Sequence, residues 1–447
     1  MRKKSSFIII LFLVLLSWAS ARNLTVYNSG YALYGEEVRF EMKKGVHIYS
    51  LPEVPETLDT GSITIYPLDN KGIVVYEQNY DYDLINSSQL FKKQLGKKIT
   101  VVTLKGDEIR GTLLNYDGSS LLLDVQGEIQ SIRGDQIFRF SFEKSGEIMV
   151  RPTLSWMMKS PVQGREKFRL SYLLNGMRWS AKYNLILNDD ETEGILNSWI
   201  TMTNESGKEF TDVRLQLMAG DVQRLTENRP VSRLKGMGMV EEMAMADTEV
   251  SEEGMMEYHL YSIARDVSIA PRQKKEIPFF SPLSIKTEKR LKYMIAEYNK
   301  KVNVTVEFMN TKENAMGMAL PAGILSVYKN DSSGNLQFVG NDRISHTPKN
   351  ERISVRIGDS FDILGEAVVL KREKIRKDTY DIQYQVMLKN RKESKETVYA
   401  SYHRSPREKL IQYEIKPKSE DAREIVFAVP LNPDEERTFT FTVRTQY

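Results

Sequence analysis

Along most of the chain, apolar and polar residues alternate with a period of two, the spacing of a strand that buries one face. Leu24 and Val26, then Val38, Phe40 and Met42, then Val46, Ile48 and Ser50 follow this rhythm, punctuated by Gly30, Gly35 and Gly45. Ile63, Ile65, Val74 and Tyr76 continue it after Pro52 and Pro55. The pattern predicts short strands with these positions on the buried face.

From about Ser87 to Phe142 the strands become shorter and more regularly spaced. A helical turn is expected around Gln89 to Lys93. Strands are expected at Ile99 to Leu104, Glu108 to Tyr116, Ser120 to Val125, Glu128 to Ile132 and Gln136 to Phe140. Tight turns such as Lys105-Gly106-Asp107, Asp117-Gly118-Ser119 and Arg133-Gly134-Asp135 join them. Five short strands with such turns describe a small closed barrel.

Beyond Val150 the strands lengthen: Phe168, Leu170 and Tyr172 alternate, as do Tyr183, Leu185 and Leu187. The segment 227–254 breaks the rhythm, being rich in Met, Gly, Glu and Ser, and reads as a mobile excursion. A hairpin is expected across Val327 to Phe338, turning at Asp331-Ser332-Ser333-Gly334-Asn335. Residues 359–447 have the spacing of a β-sandwich closed by Phe439, Phe441 and Val443. The expected fold is therefore all-β: antiparallel β-sandwich domains plus a small five-stranded barrel. The divisions are 22–86, the barrel at 87–142, a central β domain at 143–358 containing the loop 227–254, and 359–447.

The first 21 residues differ from everything after them. Arg2, Lys3 and Lys4 precede the apolar run Phe7 to Leu16, and Ala19, Ser20 and Ala21 supply the small-residue pattern of a signal-peptidase site. Cleavage is expected between Ala21 and Arg22. The run is shorter than the roughly 20 residues a membrane-spanning helix needs, and no later stretch is long and apolar enough to span as a helix. The expected location is periplasmic or secreted.

Composition narrows the chemistry. Removing the three basic residues of the leader from the 63 in the chain leaves them equal to the 60 acidic ones. A mature chain of zero net charge has no general pull towards nucleic acid or anionic lipid. Hydrophobic residues at 41% with 10% aromatics suit a globular chain. With no cysteine, disulfides, thiolate metal sites and cysteine nucleophiles are excluded. The four histidines, His47, His259, His346 and His403, show no metal-ligand spacing, and no nucleophile elbow, phosphate loop or dinucleotide fingerprint occurs. Neither catalytic residues nor a cofactor are assigned. The most suggestive soft-ligand feature is Met237, Met239, Met243, Met245, Met255 and Met256, whose thioethers suit Cu(I); a low-complexity loop is the favoured reading of the same residues. The Asp331 turn offers oxygens for Ca²⁺ but lacks the distal Glu of a calcium loop.

Several motifs in order, among them Trp179-Ser180-Ala181-Lys182-Tyr183, Thr201-Met202-Thr203-Asn204, Leu217-Met218-Ala219-Gly220-Asp221-Val222, Leu320-Pro321-Ala322-Gly323 and Gly358-Asp359-Ser360-Phe361-Asp362, resemble the domain of unknown function 4139 family, the C-terminal part of mucoidy-inhibitor-A-like proteins. The resemblance implies an exported, sandwich-containing protein and no particular activity. The block 87–142 is similar to Sm-like and SH3-like barrels. Asp117 and Arg133 match nucleotide-holding positions of the RNA-binding members, whereas Ser120 or Leu121 stands where those have Asn. The expected function is that of an exported binding or scaffolding module of the cell envelope, contacting another envelope protein or a polymer but not nucleic acid. Alternatives are a hydrolase of envelope polymers using two carboxylates and a copper binder using the Met-rich loop.

Overall fold

A computed structural model describes residues 22–81, 91, 94–142, 151–220, 222–224 and 250–446. The expected leader, most of the turn around Gln89 to Lys93 and most of 227–254 lie outside the described residues.

Among the described residues, thirty strands form five sheets. An eight-stranded sheet contains β1 (Asn23–Tyr27), β2 (Tyr31–Met42), β4 (Thr64–Pro67), β12 (Gly164–Asn175), β15 (Phe210–Ala219), β16 (Val250–Met255), β17 (Tyr258–Ile263) and β18 (Val267–Ile269). A three-stranded sheet has β11 (Thr153–Ser160) between β3 (Gly45–Pro52) and β5 (Val74–Asp81). The barrel strands are β6 (Lys98–Thr103), β7 (Glu108–Tyr116), β8 (Ser120–Val125), β9 (Glu128–Arg133) and β10 (Ile137–Phe142). A five-stranded sheet joins β13 (Met177–Leu187), β14 (Glu193–Asn204), β19 (Lys274–Lys286), β22 (Gly323–Asn330) and β23 (Leu336–Ile344). The last sheet has nine strands: β20 (Glu288–Met294), β21 (Lys301–Met309), β24 (Arg352–Arg376), β25 (Thr379–Asn390), β26 (Glu396–His403), β27 (Glu408–Tyr413), β28 (Ser419–Glu420), β29 (Glu424–Leu431) and β30 (Glu436–Gln446).

The all-β expectation holds, with a mixed rather than purely antiparallel pairing. β1 runs parallel to β15, β13 to β22 and β20 to β26. Each parallel pair joins strands distant in sequence, which is why local alternation could not reveal it.

The sheets also interleave the expected divisions. No sheet is built from residues 22–81 alone: β1 and β2 pair with β15 and β12, and β3 and β5 flank β11. The boundary expected at 358 falls inside β24, a single strand of 25 residues. One large core runs from Leu24 to Val355 and a second from Leu291 to Val443. β21 and β24 pass through both: Val306, Phe308, Ile353 and Val355 belong to the first, Val302, Ile363 and Ala367 to the second. Strand β23 crosses β24 so closely that a Cβ on Gly340 would overlap the Ile357 carbonyl oxygen.

The nine-stranded sheet folds over on itself. Tyr384 of β25 meets Tyr402 of β26 at 5.1 Å between ring centroids, and Phe427 of β29 meets Phe439 of β30 at 5.2 Å. These contacts place the two ends of the sheet face to face, as in the expected sandwich. Residues 414–418 then cross from edge to edge, Glu414 bonding to Thr440 and Lys418 to Val426.

The barrel has its own small core of Phe91, Ile99, Val101, Leu113, Leu121, Leu123 and Ile132. Its strand order is β10-β6-β7-β8-β9. Since β9 and β10 lie at opposite ends of this order, the sheet is not hydrogen-bonded shut, unlike the expected closed barrel. A short 3-10 turn, Gly134–Gln136, separates them.

Two further expectations change. The end of the excursion, Val250–Met255, is a strand paired with β17. In the three-stranded sheet the expected buried face points outwards: Val46 and Ile48 are 48% and 67% exposed, Val74 and Tyr76 48% and 52%. Tyr49, Leu154, Trp156 and Met158 face inwards instead. Both alternating sets of β3 contain apolar residues, so periodicity could not choose between them. The choice is made by Phe40, whose ring lies 5.7 Å from Tyr49 and 5.9 Å from Trp156.

Candidate functional site: a charged cleft and an apolar sheet face

A cleft of about 320 Å³ opens where the two large cores meet. It is walled by the β19–β20 corner (Lys286, Thr287, Glu288), the end of β21 (Glu307, Phe308, Met309), the turn carrying Glu313 and Asn314, and Arg352. Asn314 shapes this wall. Its side-chain oxygen accepts from the Lys286 N–H at 2.6 Å, and its amide donates to the Lys286 and Met309 carbonyls.

Glu307 lies at the base with its side chain 5% exposed. Lys292 approaches one carboxylate oxygen at 2.5 Å, while Arg352 and Arg290 approach the other at 2.9 and 3.2 Å. The Ser354 hydroxyl donates to Glu307 at 3.2 Å. Burial pushes the Glu307 carboxyl up, but hydrogen bonds from Lys292 and Arg352 and the attraction of these cations outweigh it and hold it below its ordinary value. Arg290 also binds Glu288 at 2.9 Å and stacks on Tyr399 at 5.0 Å.

This arrangement bears on the hydrolase alternative. A glycosidase-like pair needs one carboxyl kept protonated near neutral pH, which requires a raised pKa. Glu307 is shifted downwards, and so is Glu313, through a backbone hydrogen bond and Thr311. Both therefore remain ionised, and the cluster acts as a compensated charge junction between the cores.

The outer face of β3, β11 and β5 has the opposite character. Val46, Lys159 and Val74 form one cross-strand row; Ile48, Met157 and Glu77 form the next, with Tyr76 at the adjoining register shift; Ser50, Ser155 and Asn79 form a third. The inner face is anchored by Trp156, fully buried, whose indole N–H donates to the Gln78 side chain at 2.8 Å. Turns bring lysines to one end. Lys43 and Lys44 precede Gly45, which pairs with Ser160. Lys71 sits in the turn whose Gly72 packs on Pro161, a Cβ there lying 3.2 Å from that ring. Lys43, Lys44, Lys71 and Lys159 are exposed. Among the described residues β3 and β5 each have a strand neighbour on one side only.

The candidates read from the sequence are scattered. Met255 and Met256 occupy the tip of the β16–β17 hairpin, 49% and 89% exposed, Met256 with φ 58°. Met237, Met239, Met243 and Met245 lie outside the described residues, as does Ala21. The Arg22 guanidinium donates to the Thr211 carbonyl at 3.2 Å. His47 is half-buried, against the Lys44 carbonyl, His259 pairs with Glu252 at 2.7 Å, and His346 Nδ1 accepts from the Ala322 N–H. His403 is exposed at the end of β26. Among the described residues no group of three His, Asp or Glu side chains could hold a metal ion. Asp117 caps its own turn by accepting from the Ser119 and Ser120 N–H groups, and Arg133 pairs with Asp135 at 2.5 Å. Asp331 caps the expected hairpin turn in the same way, through Ser333 and Asn335.

Glu307 was not singled out by the sequence. A signal existed in Glu288, Arg290 and Lys292, whose two-residue spacing marks a charged strand face. The partner strands that supply Glu307, Arg352 and Ser354 were not readable from it. Compared with known protein families and with curated proteins, the chain matches none.

Proposed function

We propose that the protein is an exported, non-enzymatic binding or scaffolding module of the cell envelope. The observation that carries this reading is the outer face of β3, β11 and β5. Four large apolar side chains, Val46, Ile48, Val74 and Tyr76, are each about half exposed or more on one small sheet. We read an exposed apolar group on a well-packed frame as a contact surface, and a sheet whose edge strands have one neighbour each among the described residues can also add a strand. The leader pattern of residues 1–21 and the family resemblance support a periplasmic or secreted location, where another envelope component would be met.

The test is photo-crosslinking in intact cells from a reactive residue placed at Ile48 or Tyr76, with Arg343 on β23 as the exposed control. A reproducible envelope adduct from positions 48 and 76, absent from 343, is the expected result. No adduct, or the same adducts from all three positions, would remove this face as a contact surface.

A further inference from the structure

We infer that the outer face of β3, β11 and β5 is a docking surface for an anionic phospholipid bilayer. The inference rests on the binding-module reading and names its partner. Two features of the face combine. Val46, Ile48, Val74 and Tyr76 offer an apolar group, and Lys43, Lys44, Lys71 and Lys159 gather at the end nearest Val46 and Val74. Apolar side chains that enter the headgroup boundary beside lysines that meet anionic headgroups are the two elements of peripheral membrane binding.

The dimensions and residue types favour a bilayer over a protein. Three strands of about eight residues make a face about 26 Å by 10 Å. That is well below the roughly 800 Å² per partner of a stable protein interface. A bilayer needs no matching pocket and can engage a small flat face. Protein interfaces are enriched in aromatic residues, Met and Arg and depleted in Lys; Tyr76 and Met157 suit either partner, whereas the four cations named here are all lysines. Their flexible stems let the charges reach headgroups while the short apolar side chains enter beneath them. Tyr76 has the amphipathic ring that settles at a membrane–water boundary. Glu77 within the apolar rows and the exposed Asp69 in the turn of Lys71 oppose binding. With equal numbers of basic and acidic residues after position 21 there is no net charge to drive binding, so the attraction has to come from a local patch.

The experiment is co-sedimentation of the full chain lacking residues 1–21 with vesicles of equal parts phosphatidylcholine and phosphatidylglycerol, against vesicles of phosphatidylcholine alone. Binding to the anionic vesicles that weakens with added salt is the expected result. Each lysine removed should lower partitioning about fivefold, so Lys44→Gln with Lys159→Gln lowers it about 25-fold. Ile48→Ser also weakens it, while Lys105→Gln in the barrel leaves it unchanged. These positions are exposed, and unchanged circular dichroism verifies the fold of each variant. Equal binding to both vesicle types, no binding to either, or an equal loss in Lys105→Gln would overturn the inference. A protein adduct from Ile48 or Tyr76 without vesicle binding would overturn the lipid assignment and leave the binding-module reading standing.

Discussion

Replacing Glu307 by Gln should destabilise the junction of the two cores by about 2 kcal/mol at neutral pH, and by almost nothing in acid. Gln keeps the size of the side chain and removes its charge. Losing one partner of a buried ion pair costs about 3–5 kcal/mol when the remaining charge stays buried. The cations here are not fully buried: the side chains of Arg290, Lys292 and Arg352 are 21%, 40% and 50% exposed. Water therefore takes over part of the lost interaction, and Arg290 keeps Glu288. The lower figure of about 2 kcal/mol follows, a factor of about 30 in the unfolding equilibrium. The pH dependence has a definite sign. Because the folded-state pKa of Glu307 is depressed below 4.5, its contribution is fully present above that value and is lost as pH falls through the folded-state pKa. Protonated Glu307 then resembles Gln. The assay is urea denaturation followed by tryptophan fluorescence, since Trp156 and Trp179 report on the larger core, to which Val306 and Phe308 belong. Equal stability of the two proteins at neutral pH, or a difference that persists in acid, would refute the reasoning.

Other outcomes test the packing. Gly340→Ala forces a Cβ against the Ile357 carbonyl at a φ of 154°, so the thermal transition should fall by the equivalent of about 2–4 kcal/mol. Trp156→Ala removes a fully buried ring and should cost about 3–5 kcal/mol in denaturant titration. Ile48→Ser should change stability by less than about 0.5 kcal/mol, whereas Tyr49→Ser should cost about 3 kcal/mol; the reverse order in thermal melts would mean that the face of β3 has been assigned backwards.

The chain's alternation revealed most strands but not how they pair. Phe168, Leu170 and Tyr172 on β12, and Tyr183, Leu185 and Leu187 on β13, are buried as their spacing implies. The hairpin at Asp331 was equally legible, because its turn residues accept hydrogen bonds from their own backbone. Faces were legible only where one alternating set was polar. On β3, Val46 and Ile48 compete with Tyr49 and Leu51, and tertiary packing decides. Long-range neighbours left no local mark: β1 meets β15 nearly two hundred residues later, with Asn23 opposite Arg214. The charged junction shares this property, since Glu307 on β21 draws Arg290 and Lys292 from β20 and Arg352 from β24.

The same interleaving bears on how the surfaces could act together. A chain divided at 86 and 358 would behave as modules on linkers, with their faces free to turn independently. Here β24 continues for 25 residues through both large cores, with a bulge between Asp359 and Leu364, and β21 accompanies it over the junction. Bending between the cores would break paired strands and expose the Glu307 cluster. The β3–β11–β5 face packs its inner side into the same large core through Tyr49, Leu154, Trp156 and Met158. Its direction is therefore fixed relative to the C-terminal sandwich. A mutation at Glu307 that loosens the junction should leave vesicle binding by Ile48 and Lys159 intact, because that face is anchored within the larger core alone; loss of both together would show that the face depends on the whole frame.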